Sequence, residues 1–410
     1  MSQVVAAAAP RAVVPKHRGG SGTEGLSALE LRYPTIEDLR RAARRRVPRF
    51  AFDFVGGGCG EDKARDRNRA ALDAIGLVPR YGRGAFAVET EAVLFGRRYA
   101  APIGMAPMGM GGLFWPRMEF LLAAAAQAAR IPYVLATPAA AAIEEIAPLA
   151  PDVFWFQAYG APADDYRLTF DMLRRARDAG AHGLMVTIDS PVRAKRPQDA
   201  RNRLSVPFRP RLGTIAEIAR HPAWLRAVLA HGTPATRNFA AYVGKPHPRP
   251  AEISAMSSRV MRGGFAWEVV ARLRDAWKAP FVVKGILHPA DAEIAAKLGA
   301  DGLLVSNHGG RTFDGAPPAI RQLEAVKKAA PGLTLLLDSG VRGGLDMARG
   351  LALGADFILA GRPFQWAVGA AGAAGARYVT ELFQEELRQA MGQVGARNLA
   401  ELKEQEVVLF

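Results

Sequence analysis

Short apolar runs alternate with amphipathic segments of helix length along most of the chain. Each run is continuously apolar, which is typical of parallel strands buried on both faces. Eight such runs cover residues 102–107, 133–137, 153–159, 183–189, 281–286, 302–308, 334–340 and 357–363. Eightfold alternation with helices predicts an α/β fold of the (β/α)₈ TIM-barrel type. A doubly wound sheet is the weaker alternative, because the segments typical of phosphate binding come late in the chain.

One long interval breaks this rhythm between the fourth and fifth predicted strands. It spans residues 190–280, although a crossover needs only about 20 residues. Pro222 interrupts its apolar stripe, so we expect two short helices above the barrel mouth. Residues 190–262 carry 14 Lys or Arg against 3 Asp or Glu, which is +11 of the chain's net charge of +15. Such local basicity favours contact with an anionic surface over general nucleic-acid binding.

The remaining segments define the predicted domain organisation. Residues 1–28 are expected to form a flexible tail, and residues 29–410 a single domain with an N-terminal helical extension. The barrel is placed at about 100–375, and the basic insertion after the fourth strand at about 192–262. The chain contains no run of 18 apolar residues, so no transmembrane helix is predicted. The single cysteine, Cys59, excludes a cysteine-rich metal site, and no metal is expected.

Polar side chains and glycines lie at the ends of the predicted strands. Because the catalytic groups of such barrels lie at the carboxyl ends of the strands, these residues are expected to surround one site. They are Met108, Gly109, Thr137, Gln157, Tyr159, Thr187, Asp189, Lys284, Ser306, His308, Arg311, Asp338, Ser339, Gly340, Arg342, Gly361 and Arg362. Glycine and arginine occur together at the last two strand ends, DSGVRGG and AGRP, which predicts a phosphate site there.

Lys284 and His308 carry the candidate chemistry. A lysine in an apolar strand is costly unless it is paired, so Lys284 meets a buried carboxylate, faces an anionic ligand atom or forms an imine. His308 has Asp189 available from another strand end, and a carboxylate against an imidazole fixes its tautomer and raises its basicity. Arg311 lies three residues on and suits a substrate carboxylate. Together these features predict a catalytic histidine at position 308.

The segment SNHGGRTFDGAPPAI (306–320) resembles the FMN-dependent 2-hydroxy acid oxidases and dehydrogenases, a family that includes glycolate oxidase and the lactate and mandelate dehydrogenases. The blocks WFQAY, TIDSPVRAKRPQDARNR, LLDSGVRGGLDMARGLALGAD and GRPFQWAVGAAG are similar to the same family, and the likeness covers roughly residues 31–405. The resemblance implies FMN as the cofactor. It also implies oxidation of an (S)-2-hydroxy acid, mandelate- or lactate-like, to the 2-oxo acid.

The resemblance further implies a role for each site residue. His308 would be the base that acts on the 2-hydroxy acid, with Asp189 as its partner and the flavin as electron acceptor. Arg196 and Arg311 would bind the substrate carboxylate, and Tyr159 the substrate oxygen. Flavin contacts would come from Pro107, Met108, Gly109, Thr137, Gln157, Thr187, Lys284 and Ser306. Ribityl and phosphate contacts would come from Asp338, Ser339, Gly340, Val341, Arg342, Gly361 and Arg362.

Phe54 departs from the family, which usually has a tyrosine at this position, so one hydroxyl contact to the substrate carboxylate is missing. The stretches GGLFWPRMEF and RHPAWLRAVLAHGTPATRNF resemble the mandelate dehydrogenase branch. That likeness implies a cytoplasmic enzyme whose basic insertion contacts an anionic membrane, at the inner face of the plasma membrane, with a quinone as acceptor. It also implies a homotetramer, and no nucleic-acid partner is expected.

Three alternatives stay open on the sequence. A flavin oxidase of the same fold with a larger biosynthetic substrate would account for Phe54. A flavin-free barrel lyase would use Lys284 as a Schiff base. A binding protein would use the basic insertion to recruit nucleic acid or another protein.

Overall fold

The computed structural model describes residues 27–163, 165–204, 211–261 and 263–410. Most of the predicted tail, residues 1–26, lies outside the described residues. So do residue 164, and residues 205–210 and 262 of the predicted insertion.

Eight parallel strands close into a barrel in chain order. The last strand pairs with the first, through Ile358 opposite Ile103, and this contact completes the closure. The strands are Ile103–Met105, Tyr133–Ala136, Phe154–Ala158, Leu184–Thr187, Phe281–Ile286, Gly302–Val305, Thr334–Leu337 and Phe357–Ala360. Nearly every strand residue is buried, because side chains fill the barrel on one face and meet the helices on the other. The predicted TIM barrel is confirmed, and the doubly wound alternative is wrong.

Helices surround the barrel between its strands. The helices of this layer are Gly111–Phe114, Met118–Ala129, Ile143–Ile146, Arg167–Asp178, Trp267–Ala276, Pro289–Lys297, Ala319–Ala329, Gly344–Ala352 and Arg362–Val394, with a 3₁₀ turn at Ala147–Leu149. The last of these helices begins immediately after the eighth strand. It is bent at Ala371 and Gly372, which have non-helical backbone angles.

The N-terminal extension packs against the last long helix through its helix Ile36–Arg46. Its helices are Ala28–Arg32, Ile36–Arg46, Arg49–Gly56 and Lys63–Asp73. The Thr35 side chain caps the second of them and accepts the Asp38 N–H at 3.2 Å. Two small antiparallel sheets were not predicted, because strands of three residues carry almost no periodicity. They pair Ile75–Leu77 with Val407–Leu409, and Ala92–Leu94 with Arg97–Tyr99. A short helix, Leu399–Lys403, precedes the last strand.

The insertion lies over the barrel mouth as separate short helices. These are Pro197–Arg201, Leu212–Ala219, Pro222–His231, a 3₁₀ helix at Arg237–Tyr242, and Pro250–Val260. The two short helices expected on either side of Pro222 are therefore present. Within the described ranges, no helix combines the length and apolar character needed to cross a bilayer.

Two buried side chains attach the insertion to the barrel. Trp224 donates its indole N–H to the Phe114 carbonyl at 3.1 Å and meets the Phe50 ring edge-on at 5.7 Å. Asn238 donates to the Thr137 carbonyl at 3.0 Å and accepts the Ile143 N–H at 2.9 Å. The insertion is thereby fixed to loops that follow the first two barrel strands.

Candidate active site

Three polar side chains meet at the barrel mouth. Asp189 follows the fourth strand, His308 the sixth, and Tyr159 the third. The Nδ1 atom of His308 lies 2.9 Å from Asp189 Oδ1, and its Nε2 atom lies 2.9 Å from the Tyr159 hydroxyl. The imidazole is therefore held between a carboxylate and a phenol.

Local backbone conformation brings these groups together. His308 has a positive φ of 58°, and its N–H donates to the Ser306 hydroxyl at 3.0 Å. The fifth strand is bulged between Lys284 and Ile286, and the residue between them, Gly285, has a φ of +99°. A Cβ atom on Gly285 would overlap the side chain of Asp189. Glycine at this bulge therefore allows the carboxylate to approach the strand.

The protonation states follow from burial and charge. Burial opposes ionisation of Asp189, but the positive charges available on His308 and Lys284 outweigh it and hold its pKa at about 2. Burial lowers the pKa of His308 below its ordinary value, and Asp189 offsets this only in part. Burial raises the pKa of Tyr159 to about 12. At neutral pH, Asp189 is thus anionic, the imidazole is neutral, and Tyr159 donates its O–H to Nε2.

Lys284 lies beneath these groups with its side chain only 3% exposed. Its ammonium is 3.0 Å from the Ser306 hydroxyl, 3.5 Å from Asp189 Oδ2 and 4.0 Å from Asp338 Oδ2. Burial favours the neutral amine, but the carboxylates of Asp189 and Asp338 outweigh it and raise the pKa of Lys284. A protonated amine is not a nucleophile, so this geometry disfavours the Schiff-base alternative.

Two arginines enclose Phe54 beside the histidine. The guanidinium carbons of Arg311 and Arg196 lie 5.3 Å and 5.9 Å from the centre of the Phe54 ring. Arg311 Nη1 also lies 2.8 Å and 2.9 Å from the carbonyl oxygens of Phe54 and Gly57. Arg196 has Asp199 at 3.7 Å as its nearest carboxylate among the described residues. The pair forms a cationic site that suits a carboxylate.

The ends of the second to fourth strands form a polar ledge. Thr137 donates its hydroxyl to the Gln157 carbonyl at 2.7 Å, and Gln157 Nε2 donates to the Thr187 hydroxyl at 2.6 Å. The Gln157 side-chain oxygen is buried and has no hydrogen-bond partner in the described part of the chain. A flavin ring fits this ledge, because its pyrimidine edge presents a donor N–H to such an acceptor. Pro107, Met108 and Gly109 follow the first strand at the same mouth.

The ends of the last two strands hold two arginines, of which Arg362 is buried and Arg342 is half-buried. Burial and the nearby Arg69 lower the pKa of Arg342 to about 9, and burial with Arg342 lowers that of Arg362 to about 9. Crowded cations of this kind are stabilised by a dianion, so the donor set fits a phosphate ester. Gly340, with a φ of +99°, and Gly361, which precedes the last long helix, are the glycines of the predicted phosphate site. Val341 follows Gly340, and its carbonyl oxygen accepts a hydrogen bond from Arg342 Nη1 at 2.9 Å.

The Arg362 side chain has partners that the sequence did not reveal. Its guanidinium donates to the carbonyls of Val55, Gly309 and Gly57 at 2.9, 3.0 and 3.1 Å. It therefore ties the N-terminal extension to the loop of His308. A direct contact between the Arg362 side chain and a phosphate stays a prediction.

An asparagine pair behind the histidine was missed. Asn68 and Asn307 exchange two side-chain hydrogen bonds of 2.8 Å, and both are buried. Asn307 also accepts the Gly310 N–H at 3.2 Å. The pair attaches the loop of His308 to helix Lys63–Asp73. The position of Asn307 beside His308 is a signal that could have found it, but nothing in the local sequence marked Asn68.

Comparison with known proteins places the chain in a family. The model of the FMN-dependent dehydrogenase family matches residues 43–409. The L-lactate dehydrogenase of Pseudomonas aeruginosa strain UCBPP-PA14 is 39% identical over 374 residues, which cover 90% of this chain and 97% of that protein. The L-lactate dehydrogenase of Stenotrophomonas maltophilia strain R551-3 is 39% identical over 367 residues, covering 89% and 96%.

Solved structures agree with these matches. A crystal structure of mandelate oxidase with (S)-4-hydroxymandelic acid has a TM-score of 0.79 and 36% identity, covering 92% of this chain and 99% of that one. A crystal structure of mandelate oxidase alone has a TM-score of 0.78, 35% identity and the same coverage. The chain therefore belongs to the FMN-dependent dehydrogenase family. The predicted family, FMN cofactor and oxidoreductase class are confirmed.

The surroundings of His308 predict the pKa of its imidazole. We expect its imidazole to titrate below the ordinary histidine value, because burial disfavours the cation. Asp189→Asn removes a neighbouring negative charge, so the pKa of His308 is expected to fall further, by about one pH unit. Nitrogen-15 NMR of labelled histidine measures both values, and the His308→Asn variant assigns the resonance. An unchanged or higher His308 pKa in Asp189→Asn would contradict this charge arrangement.

Proposed function

We propose that this protein oxidises a 2-hydroxy acid to the corresponding 2-oxo acid. The observation that carries the proposal is a neutral imidazole held by an anionic carboxylate, next to an arginine pair and above a buried lysine. The relatives named above are called lactate dehydrogenase and mandelate oxidase, which points to the same substrate class. FMN, when bound, supplies the acceptor for the two electrons removed from the substrate.

Proton transfer is assigned to His308. Its Nε2 carries the lone pair, because Nδ1–H is directed at Asp189 Oδ1. Nε2 would take one proton from the substrate, and Asp189 would stabilise the imidazolium that results. The Tyr159 hydroxyl, 2.9 Å from Nε2, would then bind the substrate oxygen.

Substrate recognition is assigned to Arg196 and Arg311. A carboxylate between them would be bound by two cations, without the aromatic hydroxyl usual in the family. Lys284 would lie on the cofactor side, where its charge favours an anionic ring edge. Mandelate- or lactate-like acids of the (S) configuration are the proposed substrates. A larger biosynthetic substrate is the second candidate, and Phe54 is the observation that favours it.

Peripheral membrane contact is assigned to the insertion. Leu212, Ile215 and Leu229 are 86%, 51% and 75% exposed, and Arg220 and Arg226 are exposed beside them. Helix Pro222–His231 packs against helix Ile36–Arg46, whose Arg41, Arg44 and Arg45 are exposed as well. Exposed apolar residues among arginines suit an anionic lipid surface. A membrane quinone is the acceptor proposed with this surface, and the homotetramer stays a prediction.

Removing the base tests the proposed reaction. We expect His308→Asn to keep FMN bound but to lose flavin reduction by (S)-mandelate and L-lactate by about 10²–10⁴-fold. Anaerobic bleaching of the flavin absorbance measures this loss, with the exposed His247→Asn as the matched control. A normal reduction rate in His308→Asn would refute the assignment of the base. If no small 2-hydroxy acid bleaches the wild-type flavin, the larger substrate is favoured.

Restoring the family tyrosine tests the carboxylate site. Phe54→Tyr adds a donor beside Arg196 and Arg311, and a hydrogen bond to a charged group is worth about 1.5–3 kcal/mol. We expect KM for both mandelate and lactate to fall by about tenfold or more, with little change in the limiting rate. Phe54→Leu removes the aromatic faces and is expected to raise KM. If neither variant changes KM, Phe54 does not border the carboxylate site.

Vesicle sedimentation tests the membrane surface. The protein is expected to pellet with vesicles of anionic phosphatidylglycerol, and less with phosphatidylcholine or at high salt. Replacing Leu212 and Leu229 by Glu is expected to abolish pelleting, whereas Val93→Glu, on a separate hairpin, leaves it unchanged. Equal pelleting of all three proteins would rule out this surface. Retardation of DNA without vesicle binding would instead support a nucleic-acid role.

A further inference from the structure

Ser339 has a backbone conformation that does not suit its side chain. It follows the seventh barrel strand, between Asp338 and Gly340, and has a φ of +79°. Residues with a Cβ atom rarely adopt such an angle, because the Cβ meets the backbone. Serine here, rather than glycine, implies that the hydroxyl is used.

The Ser339 hydroxyl makes three hydrogen bonds. Its oxygen accepts the N–H of Asn307 at 3.2 Å and the N–H of Gly309 at 3.0 Å. Its own O–H donates to Asp338 Oδ1 at 2.8 Å. A hydroxyl has one proton to donate and two lone pairs, so its full capacity is used. Ser339 is buried, with 9% of its surface exposed, and water competes little for these contacts.

The two accepted amides are those on either side of His308. His308 itself has a positive φ of 58°, and its own amide donates to the Ser306 hydroxyl at 3.0 Å. Two serine oxygens therefore hold three successive N–H groups. This arrangement leaves the peptide planes around His308 little freedom to rotate.

We propose that Ser339 is a positioning residue that holds His308 in the orientation required of the base. The proposal rests on the proposed function, because it assigns that role to His308. The Ser339 hydroxyl fixes the loop after the sixth strand to the loop after the seventh. The Nδ1 atom of His308 then stays in contact with Asp189, and its Nε2 atom faces the substrate. All hydrogen bonds of the Ser339 side chain are then made to protein groups. Any contact of Ser339 with the phosphate would come from its backbone.

Two substitutions separate positioning from folding. Ser339→Gly removes the hydroxyl and also relieves the unfavourable φ, so the melting temperature is expected to stay near that of the wild type. Ser339→Ala removes the hydroxyl but keeps the strain, so it is expected to melt lower. Arg130→Gly is the matched control, because Arg130 is exposed, has a φ of 52° and lies at the end of helix Met118–Ala129.

The decisive comparison is between Ser339→Gly and the wild type. We expect Ser339→Gly to bind FMN within about twofold, by flavin fluorescence quenching, and to keep its KM. Its limiting rate of flavin reduction is expected to fall at least tenfold, and Arg130→Gly is expected to reduce normally. A wild-type limiting rate in Ser339→Gly would overturn the proposal. Loss of FMN affinity would overturn it too, because Ser339 would then serve the cofactor.

Amide hydrogen exchange gives a reading that does not depend on turnover. In the cofactor-loaded protein, the N–H groups of Asn307 and Gly309 are expected to exchange at least tenfold faster in Ser339→Gly than in the wild type. Equal exchange in both proteins would refute the positioning role. If the wild type oxidises no 2-hydroxy acid but the exchange rates still differ, the proposed function fails while the contact between Ser339 and the loop of His308 stands.

Discussion

The contact between Asp189 and His308 is the constraint on which the site depends. A carboxylate buried at a barrel mouth is stable only if positive charge and hydrogen bonds replace the water it has lost. Lys284 supplies the charge at 3.5 Å, and the imidazole supplies the hydrogen bond at 2.9 Å. The same contact settles which ring nitrogen keeps its proton. The chemistry of the histidine is therefore a consequence of how one buried anion is stabilised.

The barrel fold itself brings these groups together, because each of them lies in or shortly after a barrel strand. Parallel pairing in register places the ends of neighbouring strands at one level, as in the pairing of Thr187 with Lys284. The bulge at Gly285 then shifts the fifth strand and leaves space for Asp189. A regular strand with a larger residue would exclude the carboxylate. Among the described barrel strands, the register shift at Gly285 thus lies beside the buried carboxylate of Asp189.

The sequence predicts the fold well because its evidence is local. Continuous apolar runs marked all eight strands, and the residue types at their ends indicated a polar site. The hydrogen-bond partners were not predictable in the same way. Asn68 meets Asn307 across 239 positions of the chain, and no local pattern encodes that contact. Arg362 was expected to face a ligand because of its motif, but the carbonyls that it contacts belong to a distant helix end and to the loop of His308.

Helix Arg49–Gly56 connects the insertion to the arginine pair beside His308. Phe50 on this helix contacts the ring of Trp224 from the insertion. Phe54 lies one turn later and contacts Arg311 and Arg196. Residues four apart project from the same side of a helix, so the contacts of Phe50 and of Phe54 both constrain one face of this helix. The carbonyls at the end of this helix also bind Arg311. If the insertion contacts a membrane and the arginine pair binds the substrate carboxylate, as proposed, both functions depend on the packing of this one helix.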